Sequence, residues 1–261
     1  MRELLNRMHE WMSHYMKSFY TDDAQVQQGI LIKEKHTGYV TANCVELAKF
    51  LKLSTHDSEL AEIIGLFHDV GRFRQYSVYK TFNDADSEDH GDLGMKVITE
   101  LDFFKELAAQ DYDIVKFAIQ NHNKKTVAPT DDERKIFFTK IIRDADKLDI
   151  YRVLEPFLAQ ENVDKMPQFI KATSNLIPDI SPDFVENFVT GKQADYCKIR
   201  TNGDRKIVRL MWIYDINFSW TMRKIVERGY IEKIVANLPM DEKIAKGVRR
   251  LRRHVGLVIG G

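Results

Sequence analysis

The sequence predicts an all-α protein, and three observations carry that expectation. Apolar residues recur at spacings of three and four along most of the 261 residues, only six prolines interrupt them, and nothing alternates strictly enough to read as a strand. The stretch Lys206 to Ile216 is rich in β-type residues, but its pattern fits a buried helix equally well.

The elements follow in order. Leu4, Leu5, Met8, Trp11, Met12, Tyr15 and Met16 form the stripe of a first helix. A second is expected from about Gln25 to Leu51, interrupted or kinked near Gly38. A third starts near Ser54 to Asp57, residues suited to capping, and carries Leu60, Ile63, Ile64, Phe67 and His68. Arg72 to Asp86 has no clear period and reads as a loop. The next helix is expected near Ser87, with Glu88 and Asp89 in its first turn, where the helix dipole favours acids. Asp111 to His122 makes a short helix, and Thr130 is expected to cap a long one that ends before Pro156. Beyond Pro156 the periodicity weakens, with Pro167, Pro178 and Pro182 close together. From Pro182 the pattern is helical again, through Trp212 and Ile225 to a basic end at Lys246 to His254. Residues 1–155 therefore read as one helical domain and 156–261 as a helical extension packed on it.

Composition narrows the function. Apolar residues make up 44%, enough for a sizeable core, and Lys+Arg balances Asp+Glu at 39 each. That balance argues against an extended nucleic-acid partner, which would be met by a net positive field. A small phosphorylated ligand needs only a local positive site. Cys44 and Cys197 are too few for a disulfide framework and read as small buried apolar residues of a reduced, cytoplasmic protein. The first twenty residues lack the apolar block of a signal peptide, and no run approaches the ~20 apolar residues of a membrane span, so no membrane partner is expected. Trp212, Tyr214, Phe218 and Trp220 read as core, and Arg249, Arg250, Arg252 and Arg253 as a solvated helix end.

One local feature is chemically odd. In Gly65-Leu66-Phe67-His68-Asp69-Val70-Gly71 a His-Asp pair ends an apolar helical run. Burying a carboxylate beside an imidazole is costly without a compensating charge. A divalent cation supplies one, and both groups are suitable ligands. Adjacent helical residues diverge by about 100°, so both reach one site only at a helix end, and Gly71 is placed to end that helix.

The order His36, His68-Asp69, Asp146 resembles the signature of the HD superfamily of metal-dependent phosphohydrolases. The local texts Lys35-His36-Thr37, Phe67-His68-Asp69-Val70-Gly71-Arg72 and Asp144-Ala145-Asp146-Lys147-Leu148-Asp149 are similar to it as well, roughly from Gly29 to Arg152. The resemblance implies an HD-domain-like helical bundle around a metal centre. His36, His68 and Asp146 would be terminal ligands and Asp69 a ligand able to bridge two ions. Asp144 and Asp149 compete with Asp146, which is chosen on the match to Ala-Asp-Lys-Leu rather than on geometry. His90 and His122 fall in the intervals where members with two metals have extra histidines. They would hold a second ion or grip substrate phosphate as imidazolium. The Gly-Tyr-Pro element of one binuclear branch is missing, so cleavage of cyclic dinucleotides is not implied. Arg72 stands where related enzymes often have a lysine and would offer phosphate a permanently charged fork. Lys147 would assist it.

The implied function is hydrolysis of a phosphomonoester or phosphodiester of a small phosphorylated metabolite or nucleotide by a metal-activated water. Asp69 and Arg72 would carry the catalysis. The cofactor would be a divalent ion, Mn, Fe, Zn, Mg, Ni or Co, with one or two per chain. Two other readings use the same ligands: a di-iron oxygenase on this scaffold, and a non-catalytic domain that senses a nucleotide. Metal analysis with oxygen consumption separates the first, and loss of a ligand would favour the second.

Overall fold

The computed structural model describes residues 1–158, 180–192 and 198–260. Among them there is no strand, and α-helices follow one another along the chain. They divide into two compact units, Met1–Asp149 and Ile150–Gly261.

The first unit contains α1 (Arg2–Lys17), α2 (Ala24–Phe50), α3 (Thr55–Phe67), α4 (Val70–Tyr79), α5 (His90–Thr99), α6 (Ala109–Asn121) and most of α7 (Glu133–Leu154). The α1 stripe is largely as expected, with Leu4, Leu5, Met8 and Met12 buried. Asp23 caps α2 by accepting hydrogen bonds from the Gln25 and Val26 amides, and the helix runs through Gly38 as one element. Ser54 caps α3 through the Asp57 amide, as its sequence suggests. α2 and α3 come together at Gly65, where a Cβ would stand 3.0 Å from both the Cys44 Sγ and the Thr41 Cα. A side chain there would require its neighbours to give by a few tenths of an ångström. Cys44 is buried there, and burial pushes its thiol up, so it behaves as an inert apolar residue. Cys197, like Pro167 and Pro178, lies outside the described residues.

Four expectations need correction. Gly71 does not end a helix. α3 stops at Phe67, and Asp69, with φ −109° and ψ 17°, is the residue from which α4 starts. Gly71 lies inside α4, and a Cβ on it would stand 2.3 Å from the His90 carbonyl oxygen and 2.5 Å from the Gly94 nitrogen. Its smallness lets α4 press against α5. Accordingly, Arg72 to Tyr79 is helical rather than a loop, and the connecting segment is shorter than expected. Val70, Phe73 and Tyr76 are buried at helical spacing and hold α4 in place. Finally, Asp89 is the N-cap of α5, bonded by the Asp92 amide, and Asp132 rather than Thr130 accepts from the first amides of α7, those of Arg134 and Lys135.

In the second unit, α8 (Pro182–Thr190) begins with Pro182 in its first turn and ends on Gly191 in the left-handed region. The ambiguous stretch is helical, forming α9 (Asn202–Met211) and a 3-10 turn over Trp212–Asp215. Thr201 and Asp204 close a capping box, and the buried Asp204 carboxylate also accepts from Ser181 and from the Arg200 and Thr201 amides. α10 (Ser219–Glu227), α11 (Tyr230–Val235) and α12 (Glu242–Gly260) complete it. Trp220 is buried, whereas Trp212, Tyr214 and Phe218 are half-buried. Among the basic residues of α12, Arg252 pairs with Glu232. No helix among the described residues is long and apolar enough to cross a membrane.

Candidate metal centre

Six helices and the breaks between them bring six expected residues together in the first unit. His36 comes from the middle of α2, and Asp146 from α7. His68 and Asp69 come from the α3–α4 junction, His90 from the first residue of α5 and His122 from the end of α6. The junction answers the directional problem of adjacent residues: His68 closes one helix while Asp69 opens the next, so both side chains face one point.

Asp69 stands at the middle. Its Oδ2 lies 3.5 Å from His36 Nε2 and 3.6 Å from His68 Nε2, and its Oδ1 lies 3.4 Å from His90 Nε2 and 3.6 Å from His122 Nε2. Asp146 Oδ1 adds to the first pair, 3.1 Å from His36 Nε2 and 4.0 Å from His68 Nε2. Two groups spaced for an ion therefore share one carboxylate: His36, His68 and Asp69 on one side, Asp69, His90 and His122 on the other. All five of these residues are buried.

The other nitrogen of each ring fixes its protonation. His68 Nδ1 is 2.7 Å from the Gly65 carbonyl oxygen, and His122 Nδ1 is 2.6 Å from that of Ile119. A carbonyl only accepts, so those Nδ1 atoms carry protons. His36 Nδ1 meets Asp149 Oδ2 at 2.7 Å, and His90 Nδ1 meets Asp84 Oδ2 at 2.7 Å. Each ring thus turns its Nε2 atom inward. There the nitrogens crowd one another: His36 and His68 Nε2 are 3.4 Å apart, His90 and His122 Nε2 are 3.0 Å apart, and carboxylate oxygens of Asp69 and Asp146 stand among them. Nitrogens and carboxylate oxygens so packed in a buried place call for a proton or a cation between them. The donor set, imidazole nitrogen with carboxylate oxygen, suits a divalent transition ion.

The electrostatics agree. Burial pushes the His68 imidazole down to about 4 and the His90 imidazole down to about 3, so both rings are neutral at pH 7. His36 ends above the usual histidine value: burial and the Lys33 ammonium push it down, but the carboxylates of Asp146 and Asp149 outweigh them. Burial pushes Asp69 up, yet Lys33 foremost, with His68, His122 and Arg72, holds it well below the usual carboxylate range.

Of the three aspartates near 146, Asp146 reaches the centre, while Asp149 stands behind His36. Arg72 is beside the centre, but its Nη1 donates to Gln75 Oε1, the Phe82 carbonyl and Asp84 Oδ1. Its buried Nε lies 3.5 Å from Asp69 Oδ1 without a hydrogen bond. Lys147 follows Asp146 on α7 and is half-buried. Lys33, one turn before His36 on α2, was not expected. Its Nζ lies 2.6 Å from Asp69 Oδ2, and helical spacing from His36 was the available signal. Asp84 and Asn123 were not expected either.

Residues 34–151 match the family model of the HD domain. No curated protein and no solved structure matches the chain.

Proposed function

Residues 34–151 form an HD domain, a type that is typically a metal-dependent hydrolase, and from that premise we propose that the chain is a metal-dependent phosphohydrolase. Its substrate would be a phosphomonoester or phosphodiester of a small phosphorylated metabolite or nucleotide. The observation that carries the reading is the convergence of four imidazole Nε2 atoms on the two oxygens of Asp69.

His36, His68, Asp69 and Asp146 would hold one divalent ion, and Asp69, His90 and His122 a second. Ions so held supply a water activated near neutral pH and a counter-charge for phosphoryl oxygens. The residues of the chain do the rest. The Nδ1 anchors keep every Nε2 aimed inward. The near-complete burial of the histidines excludes bulk water and strengthens each charge interaction. Lys33 and Arg72 flank Asp69 on its two oxygens, and both are cations where a substrate phosphate would arrive. Lys33 is the better placed of the two, because one arm of Arg72 is already engaged. No nucleophilic Ser or Cys is required.

The test is a screen of Mn-loaded protein against phosphorylated metabolites and nucleotides, with phosphate release as the readout and elemental analysis alongside. Metal-dependent release abolished by a chelator is expected. Protein that carries its ions yet releases phosphate from no member of the set overturns the reading. Oxygen uptake by iron-loaded protein would replace it with the oxygenase.

A further inference from the structure

We propose that Asp84 is the positioning residue of the second half of this centre, orienting His90, and Arg72 with it, around Asp69 Oδ1. The inference rests on the metal-centre reading above and deepens it.

The four imidazoles are anchored differently. His68 and His122 bond to carbonyls one turn back in their own helices, and His36 to Asp149, a residue of α7 whose side chain is only 1% exposed. Those three anchors belong to helices packed in the core. His90 is anchored by Asp84, in the short segment between α4 and α5, and the Asp84 side chain is 31% exposed. One half of the centre thus depends on a surface segment.

Asp84 is fully engaged in that task. Its Oδ2 accepts from His90 Nδ1 at 2.7 Å and from Asn123 Nδ2 at 3.3 Å. Its Oδ1 accepts from Arg72 Nη1 and Gln75 Nε2, both at 2.8 Å. The buried Gln75 amide also donates to Ser87 Oγ and the Glu88 carbonyl, which ties the segment to α4. A carboxylate behind a histidine fixes its tautomer, sets the ring orientation and raises the basicity of the inward nitrogen. Here the same carboxylate fixes Arg72, so the second ion's ligand and the cation beside it share one support.

The experiment is a calorimetric titration of chelator-treated protein with Mn2+, for wild type, Asp84→Ala, Asp84→Asn and Asp149→Asn. Wild type should bind two ions. In Asp84→Ala the second should bind about 10–100-fold more weakly, with the first unchanged. Asp84→Asn keeps an oxygen for the His90 Nδ1 proton but not the charge, so it should fall between. Asp149→Asn should weaken the first ion instead. A residue of merely structural importance would weaken both sites together. If Asp84→Ala fails to fold by circular dichroism, the near-isosteric Asp84→Asn decides. Equal loss at both sites, or no loss at either, overturns the assignment to Asp84 while leaving the metal centre standing. Wild type binding no ion at all overturns the metal-centre reading itself, and one ion overturns its binuclear form together with Asp84's role.

Discussion

The two halves of the centre use the same chemistry on different supports. Around Asp69 Oδ2, His36 and His68 sit in or at the end of long core helices, a second carboxylate is at hand in Asp146, and the ring anchors are a core aspartate and a backbone carbonyl. Around Asp69 Oδ1, His90 and His122 complete the second group, and one anchor is a surface-segment aspartate. On the proposed reading the first half would hold its ion the more firmly. The second is built so that its geometry depends on the α4–α5 segment. Metal sites are tuned as much by what stands behind the ligands as by the ligands themselves.

The largest expected effect breaks both halves at once. Asp69→Ala removes the one ligand they share and leaves Lys33 without its carboxylate. Activity should fall by several orders of magnitude, because both the activated water and the charge stabilisation are lost. Turnover retained by a folded Asp69→Ala protein would sink the mechanism.

The next effect separates the halves. His90→Ala or His122→Ala should lower the metal content by about one ion and leave a weaker, mononuclear activity, while His36→Ala should cost the first ion. Elemental analysis of the three variants reads this directly. An unchanged metal count in both His90→Ala and His122→Ala would end the binuclear reading. A smaller effect is expected from Lys33→Met. If the ammonium meets substrate phosphate, KM should rise with the metal count constant; a fall in metal content with KM unchanged would make Lys33 a support for Asp69 alone. Gly71→Ala tests the packing between α4 and α5. A methyl group 2.3 Å from the His90 carbonyl oxygen forces those helices apart and should cost about 1–3 kcal/mol by urea unfolding.

Much of the first half is legible in the sequence and less of the second. His68-Asp69 is conspicuous because the two are adjacent at the end of an apolar run, and His36 and Asp146 fall in a recognisable order. Lys33 carried a usable signal, three residues before His36 in a helix. α4 did too, since Val70, Phe73 and Tyr76 keep helical spacing, but the polar residues between them obscure it. Asp84 carried none. It lies in a short aperiodic segment with Asp86 and Asp89 nearby, and only the tertiary fold selects which acid stands behind His90. The cap of α7 was ambiguous for a related reason: Thr130, Asp131 and Asp132 are all competent, and backbone geometry alone chooses Asp132. Of the phosphate-binding cations expected, Arg72 was found beside the centre but partly committed to Asp84, a pairing that sequence spacing does not reveal.

The smallest effect concerns the metal-free protein and acid. An unfolded histidine takes up its proton near 6.5. His90 in the folded chain does not until about 3, and His68 not until about 4, chiefly because burial disfavours the imidazolium. Between those values and pH 6.5 the unfolded chain binds more protons, so stability must fall as the pH falls, by up to about 1.4 kcal/mol per pH unit for each such ring. His36 acts in the opposite sense. Its folded value is raised, so its contribution is present below its unfolded value and is lost as the pH rises through the folded one. In the first half, then, His36 opposes His68, whereas His90 in the second acts only toward loss of stability in acid. Urea unfolding of chelator-treated protein between pH 7 and pH 5 should lose stability on acidification. His90→Gln should flatten that dependence, while His36→Gln should steepen it. A dependence untouched by His90→Gln would mean that His90 is not a buried neutral imidazole, and the contrast between the halves would lose its electrostatic basis.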